Sequence, residues 1–274
     1  MLIFKKLIFA IPFLLSFALF SSQAVLFLQD PSNILSFDTE TLSQNLIFAT
    51  SLLLSGILFV IFATLASDWK LIIPVSAIAS ASVLISFPSQ DQLGYIVSSG
   101  ALASFLITDL FLSQRLSSYL TFQAAAIVMP SVKHITTLLI LVLSFAFYTQ
   151  SSYQIKTQGF TLPPSVIDTT FNLLLGQNIE GNAEPGLQQI SPEQAELVRP
   201  MVEPQVQALI KPYLKYVPII LSVLFFFSLQ TLITLLNLPV GLLVRLLFWI
   251  LEKIGFISFI QLEVPQQEAK KLVV

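Results

Sequence analysis

Side chains that could carry out chemistry are few in this chain, and Asp109 is the most notable of them because it lies within a long apolar run. An ionisable group inside a membrane-spanning helix is costly, and such groups are common in proton relays and ion sites. Asp109 is therefore a candidate functional residue. It is also near Arg115 and the end of its apolar run, where headgroup water can hydrate the carboxylate, and this favours an interfacial position.

The sequence has few of the residues that metal binding, cofactor binding or enzyme catalysis would need. His134 is the single histidine and the chain has no cysteine, which excludes a multi-histidine or thiolate metal site. The H-E-x-x-H, G-x-S-x-G and G-x-x-x-x-G-K patterns are absent, and no second acid occurs in an apolar run to pair with Asp109. We expect a non-enzymatic protein with no catalytic residue, no metal and no cofactor.

Composition places these residues in a membrane protein. Hydrophobic residues make up 55% of the chain and 24 are Phe, whereas only 10% are charged, against roughly 25% in a typical soluble domain. The net charge is -2 and the basic residues are scattered, so a nucleic-acid-binding surface is not expected. The main partner is a lipid bilayer.

Six long apolar runs predict the elements that position the candidate residues. Within a bilayer the backbone must satisfy its own hydrogen bonds, so such runs are read as helices. The fold class is therefore all-α, a polytopic membrane helical bundle of six transmembrane helices with an extracytoplasmic helical hairpin and a C-terminal interfacial helix. The predicted spans are 7–28, 46–66, 71–87, 94–112, 135–149 and 217–236. The fifth is short and is expected to extend back past Lys133.

Small residues line two of these spans. The third contains Ser76 and Ser80, and the fourth contains Gly100 and Ser104. Such faces let helices approach closely in lipid, where the hydrophobic effect does not hold helices together. We expect the third and fourth helices to pack against each other within one molecule. A homo-oligomer interface or a polar path is the alternative.

The segment near 116–132, between spans four and five, is apolar but interrupted. Its uninterrupted part is only about fourteen residues, too short to cross a bilayer. We expect an interfacial segment or a buried elbow, which Pro130 would bend away from the next helix. A re-entrant loop is the alternative, although its backbone groups would need a water-filled cavity.

The largest element outside the membrane is the loop 150–216, which holds seven of the 15 prolines. Residues 164–175 have apolar side chains at helical spacing, and Gly176 follows as a stop signal. A second helix is expected to begin at Ser191, whose hydroxyl can cap it. Its apolar stripe could pack locally, lie on the membrane surface or bind a protein partner.

After span six, residues 237–264 predict an amphipathic helix in the cytoplasmic interface. Arg245 and Glu252 are seven residues apart and so share one face of a helix that is otherwise mostly apolar. A seventh span is the alternative, but it would bury these charges. Residues 265–274 are polar and are expected to be a disordered tail.

The distribution of basic residues predicts the orientation. Basic residues of short loops stay in the cytoplasm, and an N-terminus inside places nine of the 13 there. Those nine are Lys5, Lys6, Lys70, Arg115, Lys133, Arg245, Lys253, Lys270 and Lys271. Both termini are therefore expected to be cytoplasmic, most simply in a plasma membrane. Residues 1–24 have the alternative reading of a cleaved signal peptide, which leaves the rest of the topology unchanged.

Two functions are compatible with this sequence. The first is a membrane-embedded accessory or assembly protein whose extracytoplasmic hairpin at 150–216 binds a partner, which the long patterned loop and the scarcity of intramembrane charge favour. The second is a small transporter or channel, formed by one or several copies, that uses helices three and four. An internal repeat or a charged pore ring would favour transport, and the sequence contains neither.

Overall fold

The computed structural model describes residues 7–29, 39–66, 68–87, 91–118, 124–158 and 214–256. Seven α-helices occur in these ranges, and no strand does. They are α1 (Ala10–Gln29), α2 (Thr39–Ala66), α3 (Trp69–Ser86), α4 (Asp91–Ser118), α5 (Ala124–Gln158), α6 (Val217–Leu236) and α7 (Val240–Lys253). Helices α1 to α6 are long and apolar enough to span a membrane. The prediction of an all-α, polytopic helical bundle is confirmed.

Ring contacts between α1 and α2 show that these helices run antiparallel. The ring centroids of Phe13 and Phe59 are 5.3 Å apart, and those of Phe27 and Phe48 are 4.7 Å apart, so the start of α1 meets the end of α2. The pairs α3/α4, α4/α5 and α5/α6 also pack against each other. The chain thus alternates between two ends of the bundle.

One end of the bundle is covered by α7, and we call it the α7 end. A Cβ built at Gly241 would lie 4.0 Å from Met129 Cγ at the start of α5, and the ring of Phe256 contacts that of Phe9 before α1 at 5.6 Å. The opposite end is named the loop end, because α5 leaves the bundle there and α6 returns after residues 159–213.

Helix α5 is longer than the sequence predicted, and it is central to the bundle. It packs against α1, α2, α4, α6 and α7. It runs from Ala124 through Pro130 to Gln158. Two expectations therefore need correction: residues 124–132 of the predicted interfacial segment are the first turns of α5, and Pro130 does not separate them from it. Residues 150–158, assigned to the loop, are its last turns.

Helix α7 is shorter than the predicted interfacial range 237–264. It follows α6 after only three residues, and it ends at Lys253 because Gly255 has a φ of 71°. This left-handed conformation suits glycine and is common just after a helix. The amide of Phe256 then donates a hydrogen bond to the Leu251 carbonyl oxygen at 2.9 Å, which turns the chain back towards α1.

Several predicted features lie outside the described residues. These are the helices at 164–175 and from Ser191, the tail 265–274, Lys5 and Lys6 of the N-terminal segment, and the residues from 257 to 264. At the boundary of the loop, residues 214–216 form a turn that leads into α6. The hairpin itself therefore stays a prediction.

Candidate functional site

Phenylalanine side chains fill the interior of the bundle between α1, α2 and α4. The ring of Phe105 on α4 is fully buried, with its centroid 5.3 Å from Phe13, 5.1 Å from Phe17 and 4.7 Å from Phe59. Phe62 stacks on Phe13 at 6.4 Å. The side chains of this cluster are entirely apolar, so the cluster itself offers no polar group to water or ions.

The predicted packing of the third and fourth helices is present, and it involves one hydrogen bond between them. Ser98 Oγ donates to the carbonyl oxygen of Ser80 at 2.7 Å. Ser104 is buried, but its hydroxyl bonds back to the carbonyl oxygen of Gly100 in its own helix at 2.7 Å. Ser104 is therefore a packing residue here and offers no hydroxyl proton to a solute.

Gly100 faces α5, not α3. A Cβ built at this position would lie 2.5 Å from Val142 Cγ1, closer than two carbon atoms can approach. The sequence singled out Gly100 as a small residue for close helix packing, and the structure assigns that role to the contact between α4 and α5. Gly56 on α2 also allows a close helix contact with α5, since a Cβ built there would lie 3.0 Å from Thr136 Cγ2.

Three buried hydroxyls on α3 and α4 have no hydrogen-bond partner within the described residues. They are Ser76 Oγ, Ser80 Oγ and Thr108 Oγ1. Intramembrane pathways are usually marked by ionisable groups, and hydroxyls are not ionisable, so these three are weak evidence for a polar path.

Asp109 lies on α4 near the α7 end and is partly exposed. Two residues further along α4, the Phe111 ring stacks on the imidazole of His134 at 4.6 Å. The guanidinium carbon of Arg115 lies 4.6 Å from the centroid of the same ring. The Nε2 atom of His134 is buried and has no hydrogen-bond partner among the described residues. This cluster ties α4 to α5 through ring contacts.

Arg245 and Glu252 are both exposed on α7, as expected for a charged face. Gly100, Ser104 and Asp109 are on α4 instead. No group of three or more His, Asp or Glu that could hold a metal ion occurs in the described ranges.

At the loop end, aromatic contacts hold the two helices that carry the long loop. Phe147 on α5 stacks on Phe225 of α6 at 5.0 Å, and Phe27 of α1 is 5.9 Å from the same ring. Nearer the α7 end, Thr137 Oγ1 is 3.4 Å from Gln230 Oε1 across the same helix pair. Sequence reasoning missed this pairing, because phenylalanines in a lipid-facing helix and in a core look alike.

Comparison with protein-family models, curated proteins and solved structures gives no match for this chain. The function proposed for it therefore rests on its own residues and geometry.

Proposed function

We propose that this chain is a non-enzymatic accessory or assembly protein of a membrane complex, and that its loop between α5 and α6 binds a protein partner on the extracytoplasmic side. The observation that carries the proposal is the way the bundle supports this loop. Helices α5 and α6 are held together by Phe147 and Phe225, so both ends of residues 159–213 start from one fixed helix pair.

The length of α5 adds to this support. Its 35 residues correspond to about 52 Å at 1.5 Å per residue, whereas the hydrocarbon core is about 30 Å thick. The last turn is polar, with Lys156 and Thr157 exposed. Helix α5 is therefore long enough to form a stem that raises the start of the loop above the bilayer surface.

The packed interior also favours an accessory function over transport by one copy. Phe13, Phe17, Phe59 and Phe105 are fully buried, so the space between α1, α2 and α4 that they fill has no polar lining for a solute. A transporter also usually has ionisable groups near the middle of the bilayer, and Asp109 lies towards the end of α4. The aromatic interior is suited to a rigid scaffold.

The proposal is tested by purifying the tagged full-length chain in several mild detergents beside a variant in which a flexible linker replaces residues 159–213. We expect a stoichiometric second protein with the full chain and its loss from the variant. Thermal unfolding of both proteins checks that the variant keeps its bundle. The full chain purifying alone under every condition would contradict the proposal and direct attention to solute flux and to Asp109→Asn.

Site-specific photocrosslinking gives a matched control. A photoreactive residue at Lys156, exposed on the stem, is expected to capture the same partner. A photoreactive residue at Ile78, which is 58% exposed in the middle of α3, is expected to capture lipid and not the partner. Capture of the partner from both positions would mean that the loop end is not the binding surface.

A further inference from the structure

Helix α7 has two apolar faces, and the bundle covers only one of them. Val240, Val244, Phe248 and Leu251 are buried against the rest of the protein. On the other side, the exposed fractions are between 37% and 71% for Leu242, Leu243, Leu246, Trp249 and Ile250. Such an array of large apolar side chains on one helix needs an apolar surrounding.

Contacts at both ends of α7 fix its position against the bundle. Near its start, Gly241 approaches Met129, and just after its end Phe256 contacts Phe9. Helix α7 therefore lies along the end of the bundle and does not extend away from it. Only three residues separate the end of α6 at Leu236 from the start of α7 at Val240, so α7 starts at the level where a spanning helix leaves the hydrocarbon.

Aromatic residues mark the same level. The chain has two tryptophans, and both Trp69 and Trp249 are at the α7 end, with exposed fractions of 64% and 55%. Exposed tyrosines of the described residues lie towards the loop end instead, at Tyr95, Tyr148, Tyr153 and Tyr216. Trp and Tyr collect at the two boundaries between hydrocarbon and water, so Trp249 places α7 among the lipid headgroups.

Basic side chains accompany this apolar face. Lys70, Lys133, Arg245 and Lys253 are all exposed at the α7 end. Lys253 Nζ lies 6.0 Å from the centroid of the Trp249 ring, which sets an ammonium group beside the exposed apolar surface. Three acidic residues of the described ranges offset these charges only in part. Glu252 is exposed on α7 itself, Asp68 accepts a hydrogen bond from the Lys70 amide at 3.0 Å as the cap of α3, and Asp109 is partly buried.

We propose that α7 binds anionic phospholipids in the plane of the membrane. The apolar face around Leu246 and Trp249 inserts at the boundary of the acyl chains, and Arg245 and Lys253 contact headgroup phosphates. An in-plane amphipathic helix binds through buried apolar area together with attraction to anionic lipids. A guanidinium can also donate two parallel hydrogen bonds to one phosphate. This inference is independent of the loop and its partner.

The first test measures how added lipid stabilises the purified full-length protein. Detergent-solubilised protein is titrated with phosphatidylglycerol or phosphatidylcholine while Tm is recorded. We expect phosphatidylglycerol to raise Tm more than phosphatidylcholine, and Arg245→Gln with Lys253→Gln to remove at least half of that difference. Lys156→Gln with Lys215→Gln, which removes the same charge at the loop end, is the matched control and is expected to keep it.

Three results would overturn the proposal. The first is an equal effect of the two lipids on the unsubstituted protein. The second is an equal loss of the lipid effect in the α7 variant and the loop-end control. The third is an identical shift of Tm with inorganic phosphate alone, because the ligand would then be a free anion.

The second test locates Trp249 in the bilayer. The variant Trp69→Phe leaves Trp249 as the only tryptophan, and Trp69 is exposed, so its replacement removes little packing. In vesicles with lipids brominated at different acyl depths, we expect the strongest quenching from bromines nearest the headgroups. Strongest quenching from the bilayer centre would indicate a seventh span, and no quenching would place α7 in water; either result overturns the proposal. In the variant Trp249→Phe, Trp69 is the remaining tryptophan, and its quenching is measured for comparison.

Discussion

Gly100 and Val142 form the closest helix contact seen at any glycine of the described residues. A Cβ on Gly100 would lie 2.5 Å from Val142 Cγ1 and 2.7 Å from Cγ2. Helices α4 and α5 approach this closely only because residue 100 has no side chain. In lipid, such close packing is a main source of helix association, so this contact helps to fix α5 in the bundle.

Gly100→Ala is expected to lower the free energy of unfolding by about 1 to 3 kcal/mol, the usual range for overpacking a well-packed core. The methyl group would overlap the branched Val142 side chain, whose Cβ lies 3.2 Å from the same point. Unfolding in mixed micelles of denaturing and mild detergent measures the change. Val142→Ala in the Gly100→Ala background is expected to restore part of the loss.

The control for this prediction is Gly241→Ala on α7. The nearest atom to a Cβ there is Met129 Cγ at 4.0 Å, an ordinary contact, so alanine fits and its helix propensity is better by up to about 1 kcal/mol. We expect unchanged or slightly increased stability. Equal destabilisation by both substitutions would show that glycine flexibility, and not helix contact, is what matters at residue 100.

The sequence predicted the need for a small residue at Gly100 but not its partner. Small-residue spacing identifies a face that allows close approach, whereas the neighbouring helix depends on how all six spans pack. Ser98 and Ser104 illustrate the same limit. Both lie in the stretch 98–104, which is rich in small residues, yet Ser98 donates its hydrogen bond to α3 and Ser104 bonds back within α4.

Phe105→Ala is expected to lower the free energy of unfolding by about 3 to 5 kcal/mol, as for other buried Phe residues. The ring is fully buried and contacts the rings of Phe13, Phe17 and Phe59, so its removal leaves a cavity that three helices would have to close. The same unfolding assay measures the change.

Phe227→Ala is the matched control for the aromatic core. Phe227 is 62% exposed on α6, where lipid surrounds the side chain in both the folded bundle and the dissociated helices. We expect a change within about 0.5 kcal/mol. If the two substitutions had equal effects, the aromatic cluster would not be the core that holds α1, α2 and α4 together.

The fold class, the number of spans and the bounds of α6 follow from the sequence, because hydrocarbon imposes the same length and apolarity on every spanning helix. The full length of α5 does not follow from the sequence. Pro130 favours a break by its local chemistry, but the helix continues through it, with Val128 and Val132 on either side fully buried. Packing against neighbouring helices outweighs the local preference, and sequence alone does not contain that packing.

The contact between Ser16 and Ser55 predicts that replacing each serine by alanine lowers the stability by a different amount. Their Oγ atoms are 2.9 Å apart, and Ser55 Oγ already donates to the Ser51 carbonyl oxygen at 2.8 Å. A hydroxyl has one proton, so Ser16 is the donor between the two serines. Each Ser→Ala change is expected to cost about 0.6 kcal/mol, as for other hydrogen bonds between membrane helices, with Ser55→Ala the larger because it removes the acceptor of Ser16.

A double-mutant cycle separates the energy of this hydrogen bond from the other effects of removing each side chain. If Ser16 bonds to Ser55, the double variant should be less destabilised than the sum of the single variants. The control pair is Ser16 with Ser222, which is buried on α6 and bonds to the Pro218 carbonyl oxygen of its own helix at 2.6 Å. Additive effects for Ser16 and Ser55 would contradict a direct bond between α1 and α2.

The proposed orientation can be tested with single cysteines, because the natural chain has none. Lys156 and Lys253 are exposed on α5 and α7, towards the loop end and the α7 end respectively. A membrane-impermeant maleimide is expected to label Lys156→Cys in intact cells and Lys253→Cys only after the membrane is permeabilised, since positive charge in short loops is retained in the cytoplasm. Leu141→Cys, half-exposed in the middle of α5, should stay unlabelled because a thiolate does not form in hydrocarbon. If both cysteines were labelled from the same side, α5 and α6 could not both cross the bilayer as an antiparallel pair. If the pattern were reversed, α7 would lie at the outer leaflet, and so would the anionic lipids proposed to bind it.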